Sequence, residues 1–184
     1  MPINLDFILG RYRTSLTEDL LYQGMRINRL FGLQDLIIEN LDKNSIVCEV
    51  GSLFRHSASL FAYYCKEIYC VDVFNHSNDS VMFDTSMEEF NNVHKIISLS
   101  IEASFMFKDF YFDLVYIDAG HEFEHVVEDI THWMPKIKAG GFLAGHDYHT
   151  FADTAVIEAL NSLKIIPDKV YEDSSWIKRI YNEI

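Results

Sequence analysis

Residues 45–74 read SIVCEVGSLFRHSASLFAYYCKEIYCVDVF, and few folds accommodate that pattern. An apolar run over 46–50 ends in Glu49-Val50-Gly51, an amphipathic stretch follows over 56–65, and a second apolar run ends in Val71-Asp72. Strand, glycine turn, helix and acid-tipped strand make one βαβ half of a nucleotide-binding sheet. Asp72 stands about 20 residues past Gly51, where such folds place a carboxylate on ribose hydroxyls. The loop has a single glycine, lacks G-x-G-x-x-G and carries no P-loop lysine, so a nucleoside without phosphates suits it better than a dinucleotide. The plainer alternatives are a Gly51 that only permits the turn and an Asp72 that is a solvated acid beside a helix.

The same alternation continues along the chain. Strands are predicted over 46–50, 68–73, 95–99, 113–118 and 141–145, with helices over 56–65, 87–93, 122–134 and 151–163. For the helix over 87–93, Ser86-x-x-Glu89 reads as a capping box at the N-terminus. Repeated strand–helix units imply an α/β fold with a parallel sheet and right-handed crossovers. Two short β-like runs, 169–172 and 176–181, flank Asp173-Ser174-Ser175 and suit a closing hairpin. Before residue 44 the chain is a helical preface, with a capping box at Ser15-x-x-Glu18 and apolar residues at helical spacing through Leu41. No repeat or Pro/Gly linker divides the 184 residues, so the expectation is one domain, a helical cap over 1–43 and a Rossmann-like core over 44–184.

Composition narrows the function. A hydrophobic fraction of 49% supports a real core, and a net charge of −13 repels phosphate backbones, which argues against nucleic acid as partner. Cys48, Cys65 and Cys70 lack metal-ligand spacing and read as buried thiols. Met1 to Arg13 has no signal-like apolar core, and no run reaches the about 18 apolar residues of a membrane span. The expectation is a soluble, cytoplasmic protein with a small-molecule substrate and no membrane partner; a homodimer is compatible with the sequence.

In such sheets ligands lie beyond the carboxyl ends of the strands. After the first strand stand Glu49, Gly51 and Ser52; after the third, Ser98-Leu-Ser100-Ile-Glu102, where Ser and Glu are commonly helix caps. The fourth strand delivers Asp118, with His121 three residues on, and the fifth ends in Gly145-His146-Asp147. Asp118, His146 and Asp147 would meet from neighbouring strand ends. Two carboxylates and an imidazole suit a divalent cation with open positions for substrate oxygens. His121, titrating near neutrality, would then take a hydroxyl proton. The alternative is that these polar residues cap helices and bind one another. The aromatic group around Phe105, Phe107, Phe110 and Tyr111 reads as packing, and Glu122, Glu124, Glu128 and Asp129 read as a solvated helix face.

Four segments together resemble class I S-adenosylmethionine-dependent methyltransferases, in particular methyltransferase domain 24: Glu49-Val-Gly-Ser52, Val71-Asp72, Asp113-Leu-Val-Tyr-Ile-Asp118-Ala-Gly-His121 and Lys138-Ala-Gly-Gly-Phe-Leu-Ala-Gly-His-Asp147. The resemblance implies a Rossmann-like three-layer sandwich whose seven-stranded, mostly parallel sheet has an antiparallel last strand. It implies S-adenosylmethionine as cofactor, with Glu49, Gly51 and Ser52 at the methionine end, Asp72 at the ribose hydroxyls and Ser100 near the adenine; Val73 and Asp118 complete the implied cofactor-binding residues. Related catechol and macrolide-sugar O-methyltransferases imply metal ligands at Asp118, His146 and Asp147, with Mg²⁺ or Mn²⁺, and a catalytic base at His121. The implied reaction is O-methylation of a small molecule such as a sugar or secondary metabolite, with residues 74–90 and 148–151 and the N-terminal helices covering the substrate. Arg55 stands where the family has a second glycine, and His56 where it usually has arginine. A long cation there motivates a rival reading, a non-catalytic binding module. A nicotinamide-dependent oxidoreductase is a second rival, disfavoured by the one-glycine loop. The amino-methyltransferase Pro-Pro signature is absent after the fourth strand, which counts against N-methylation.

Overall fold

A computed structural model describes residues 31–53, 56–75, 79–148 and 154–181. The capping box at Ser15, and Arg55, lie outside the described residues.

Helix α1 (Phe31–Asn40) leads into β1 (Ile46–Val50), α2 (His56–Tyr64), β2 (Glu67–Asp72), α3 (Asp79–Met87) and β3 (Val93–Ile97). Then come α4 (Ser100–Ser104), β4 (Phe112–Ile117), α5 (Phe123–Trp133), a 3₁₀ turn (Met134–Lys136) and β5 (Ile137–Gly145). Helix α6 (Ala155–Ser162) and the strands β6 (Lys169–Val170) and β7 (Trp176–Arg179) complete the order. The seven strands run β3-β2-β1-β4-β5-β7-β6, with β7 antiparallel to both its neighbours and the other pairings parallel. This is the expected Rossmann-like sheet with its closing hairpin. Sequence-adjacent β1 and β2 pair, while β1 also pairs β4, so the strand order reverses at β1.

Helices cover both faces. On one, Leu36 and Ile37 of α1 and Phe61 of α2 pack with Ile68 and Leu114 of the sheet. On the other, Ile130 and Trp133 of α5 and Leu160 of α6 pack with Val115 and Leu143. Each such side chain, fully buried, contributes about 1.5–3 kcal/mol. Helix α5 shows how the pattern fixes the layer: Val126, Asp129, Ile130 and Trp133 are buried, the i, i+3, i+4, i+7 stripe of an amphipathic helix. The three cysteines are free and buried, as expected.

Two local expectations fail. The helix predicted over 87–93 is displaced: α3 ends at Met87, and Ser86 donates its hydroxyl to Met82 O at 2.8 Å inside the last turn rather than capping a first turn. Val93 starts β3 instead, because pairing with Ile68 outweighs a local capping signal. Asp129, expected on a solvated face, is 4% exposed. Its carboxylate accepts the Ser100 hydroxyl, which itself accepts Trp133 Nε1–H at 2.9 Å. Phe107 and Tyr111 do pack, stacked at 5.8 Å, whereas Phe105 and Phe110 are exposed. Among the described residues no helix is long and apolar enough to cross a membrane.

Candidate active site

Hydrogen bonds extend the parallel ladder one residue past the formal strands. Gly51 N–H donates to Val71 O (2.8 Å), Asp118 N–H to Val50 O (2.8 Å) and His146 N–H to Ile117 O (3.1 Å). Gly51, Asp118 and His146 therefore stand in a row along the carboxyl edge of β1, β4 and β5. Ser98 N–H donates to Asp72 O at 3.1 Å and extends the edge across β2 and β3. This edge includes the switch point where β1 meets strands from both halves, the usual ligand cleft of an open α/β sheet.

Gly51 has φ +93°, and a Cβ there would lie 2.2 Å from Asp118 O and 2.6 Å from Ala119 Cα. Only glycine fits, because both the left-handed backbone and the close approach of the β4 exit exclude a side chain.

Just inside the turn, Glu49 is fully buried and neither carboxylate oxygen makes a well-formed hydrogen bond among the described residues; the 1% exposed Ser52 hydroxyl makes none either. Burial pushes the Glu49 carboxyl up to about 7; the nearby Ser52 and Ser57 hydroxyls oppose the shift and Asp72 adds to it. A buried acid without a full partner is costly unless a ligand supplies a cation or donor. At the tip of β2, Asp72 Oδ1 accepts Phe74 N–H at 2.7 Å, which orients the carboxylate at the edge, and Val73 follows it half-buried. Phe74, at φ +47°, is buried against Phe83.

On the other side of the switch point Asp147 holds a left-handed backbone, φ +59°, after β5. Its carboxylate spans two imidazoles: Oδ1 is 3.2 Å from His146 Nδ1 and Oδ2 is 3.3 Å from His121 Nδ1. His146 Nδ1 also lies 3.9 Å from Asp118 Oδ1. Burial lowers the His146 pKa, but Asp147, Asp118 and Asp173 together outweigh it and raise the imidazole above its ordinary value. Donor atoms of Asp118, His121 and Asp147 all lie within 4.8 Å of one another. His121 is half exposed, whereas the side chains of Asp118 (28%), Asp147 (14%) and His146 (11%) are sheltered.

The structure thus brings Asp118, His121, His146 and Asp147 together at one end of the edge, while Glu49, Gly51, Ser52 and Asp72 line its β1–β2 end. Ser100 opens α4 past β3, with its hydroxyl proton committed to Asp129. Asp173, absent from the sequence-based site, lies behind His146: it is 5% exposed and accepts Leu33 N–H at the start of α1 (2.6 Å) and Ser175 N–H (2.9 Å). Nothing local in the sequence marks it as part of the site, because one of its two partners comes from α1, far away in the chain.

A family profile described as a methyltransferase domain, methyltransferase domain 24, matches residues 48–148, more than half of the chain. The chain belongs to that family. It is therefore an S-adenosylmethionine-dependent methyltransferase of class I. Solved structures share the fold at low identity. A Streptococcus mutans methyltransferase in complex with S-adenosylhomocysteine has TM-score 0.65 and 15% identity, covering 85% of this chain and 100% of its own. An rRNA methylase from Streptococcus thermophilus has TM-score 0.62 and 16% identity over 83% of this chain and 95% of its own. The N-methyltransferase NodS from Bradyrhizobium japonicum has TM-score 0.61 and 13% identity over 82% and 93%. No curated protein matches the methyltransferase in sequence.

The cleft residues suit that cofactor. Glu49 and Ser52 have buried polar atoms with no well-formed hydrogen bond among the described residues, and the Gly51 turn brings backbone, not side chain, against the cleft. The methionine end of the cofactor carries an ammonium that such a carboxylate accepts.

Proposed function

We propose that this methyltransferase transfers a methyl group to a hydroxyl of a small molecule, at the corner formed by Asp118, His121 and Asp147. The convergence of their donor atoms within 4.8 Å, beside the Gly51–Asp118 approach, carries the reading. When bound, the sulfonium cofactor supplies an electrophilic methyl group that needs an aligned, ionised oxygen. Glu49 and Ser52 hold its methionine end, Asp72 and Val73 its ribose, and the start of α4 at Ser100 flanks its base.

The chain's own work is then positioning and proton removal. Asp147, 3.3 Å from His121 Nδ1, sets the imidazole so that Nε2 can accept the hydroxyl proton. Asp118, on the β4 exit that touches Gly51, directs the reacting oxygen toward the cofactor side. Asp118 and Asp147 with an imidazole also suit a divalent cation, Mg²⁺ or Mn²⁺, which would lower the hydroxyl pKa. The −13 charge favours a small acceptor over a polyanion such as RNA.

The test is methyl transfer from labelled S-adenosylmethionine to matched panels of hydroxyl compounds, amines and RNA, after S-adenosylhomocysteine binding has been measured by calorimetry. Labelling confined to hydroxyl acceptors is expected, with loss of about 100-fold or more in His121→Ala. Transfer only to amines or RNA overturns the acceptor reading.

A further inference from the structure

We infer that Lys95 of β3 is a positioning residue for the cofactor's ribose: it clamps Phe74 in a left-handed backbone and so fixes the Asp72 carboxylate. The inference rests on the reading of Asp72 as the group that meets the ribose hydroxyls, and names what holds that group in place.

Lys95 stands opposite Cys70 in the β2–β3 register, two residues before the tip where Asp72 faces Ile97. Its ammonium donates to Ser80 O (2.9 Å), Ser80 Oγ (2.6 Å) and Asp84 Oδ1 (2.7 Å), all on α3. Three donors are all that an ammonium has, so this group is fully committed. Nζ also lies 4.8 Å from the Phe74 ring centroid and 5.7 Å from that of Phe83. The two rings meet edge to face at 5.2 Å. The Lys95 side chain is 17% exposed, which shelters its attraction to the rings from solvent.

Phe74 is the strained member of this group. At φ +47° it holds a conformation that a bulky residue keeps only when its surroundings enforce it. Phe83 and Met87 are the buried residues of α3, so the Lys95 ammonium adds a third tie between that helix and the sheet. Phe74 N–H is also the donor to Asp72 Oδ1, at 2.7 Å. Relaxing φ to a negative value must swing either the clamped ring or the peptide that carries this N–H. The clamp on the ring is thereby a clamp on the carboxylate, although Lys95 touches neither Asp72 nor the cleft row of Gly51, Asp118 and His146.

Calorimetric binding of S-adenosylhomocysteine and of its 2′,3′-dideoxy analogue to the full chain separates positioning from packing. The parent should prefer the hydroxylated ligand by about tenfold or more, and Asp72→Asn should lose most of that preference. Lys95→Met keeps the apolar stem and removes the ammonium. It should narrow the preference about threefold or more while affinity for the analogue stays within about twofold. In the Asp72→Asn background Lys95→Met should cause no further narrowing, because both changes act on one carboxylate. Phe83→Leu, which removes the ring packed on Phe74, is a second variant expected to narrow the preference likewise. Equal weakening of both ligands in Lys95→Met and Phe83→Leu, an unchanged preference in both, or additive effects in the double variant overturns the inference. A parent that does not discriminate, or an Asp72→Asn that still does, instead removes the ribose reading of Asp72, and the inference with it.

Discussion

Asp118 O would stand 2.2 Å from a Cβ on Gly51, so the exit of β4 and the turn after β1 share space that only a hydrogen at Gly51 leaves open. This contact joins the two ends of the cleft. The turn that bounds the cofactor's methionine end is set by the same backbone that delivers the first acid of the hydroxyl corner.

Gly51→Ala should therefore damage both halves. The left-handed conformation alone costs a β-carbon residue about 1–3 kcal/mol, and the overlap with Asp118 O adds to it. Thermal unfolding should shift down by about 2 °C or more for each kcal/mol, and S-adenosylhomocysteine affinity should fall by about tenfold or more. A variant with unchanged melting and binding would show that the turn relaxes without consequence.

Glu49 gives the cofactor-free protein a pH dependence of known sign. Its folded pKa, raised by burial to about 7, exceeds the ordinary 4.5. Its contribution to stability is full below about pH 4.5 and is lost as pH rises through 7, a change of about 3 kcal/mol at most. Glu49→Gln cannot ionise, so relative to the parent it should gain stability between pH 5 and pH 8. Urea midpoints of both proteins at the two pH values check the sign. The same variant should bind S-adenosylhomocysteine about tenfold or more weakly at pH 8, where it lacks the carboxylate that meets the ligand ammonium.

Ser100→Ala removes the oxygen shared by Asp129 and Trp133, and leaves two buried polar groups unpaired between α4 and α5. The expected cost is about 1–3 kcal/mol, read as a lower urea midpoint. Ser100→Thr, which keeps the hydroxyl, should lose less than Ser100→Ala if hydrogen bonding rather than volume is at stake.

Asp173→Ala frees Leu33 N–H at the start of α1 and Ser175 N–H in the turn before β7. The loss should be about 1–2 kcal/mol, as for removal of a helix cap. The change also withdraws one of the three carboxylates facing His146, so the imidazole's pKa should fall, measurable by NMR titration.

Much of this protein was legible in its sequence, for reasons of period and position. Apolar runs ending in Gly51, Asp72, Asp118 and Gly145 identified strands and their carboxyl ends, because a parallel strand buried on both faces must be apolar until it reaches the ligand edge. The β7 hairpin and the stripe of α5 followed from the same logic. Local signals misled where a distant partner competed: Ser86 resembled a cap, but pairing of Val93 with Ile68 made its neighbourhood the end of a helix. Asp129 resembled a solvated acid until Ser100, from another helix, gave it a buried partner.

The sequence by itself determined the family, the strand–helix order and the set of polar residues delivered to one edge. Only the tertiary structure decided how those residues divide: Asp147 turns one oxygen to His121 and the other to His146, and Asp173 arrives behind them from the β6–β7 turn. The physical reason is range. Periodicity and turn chemistry act over a few residues and are written in the chain, whereas the side on which a carboxylate finds its imidazole depends on the register of strands far apart in sequence.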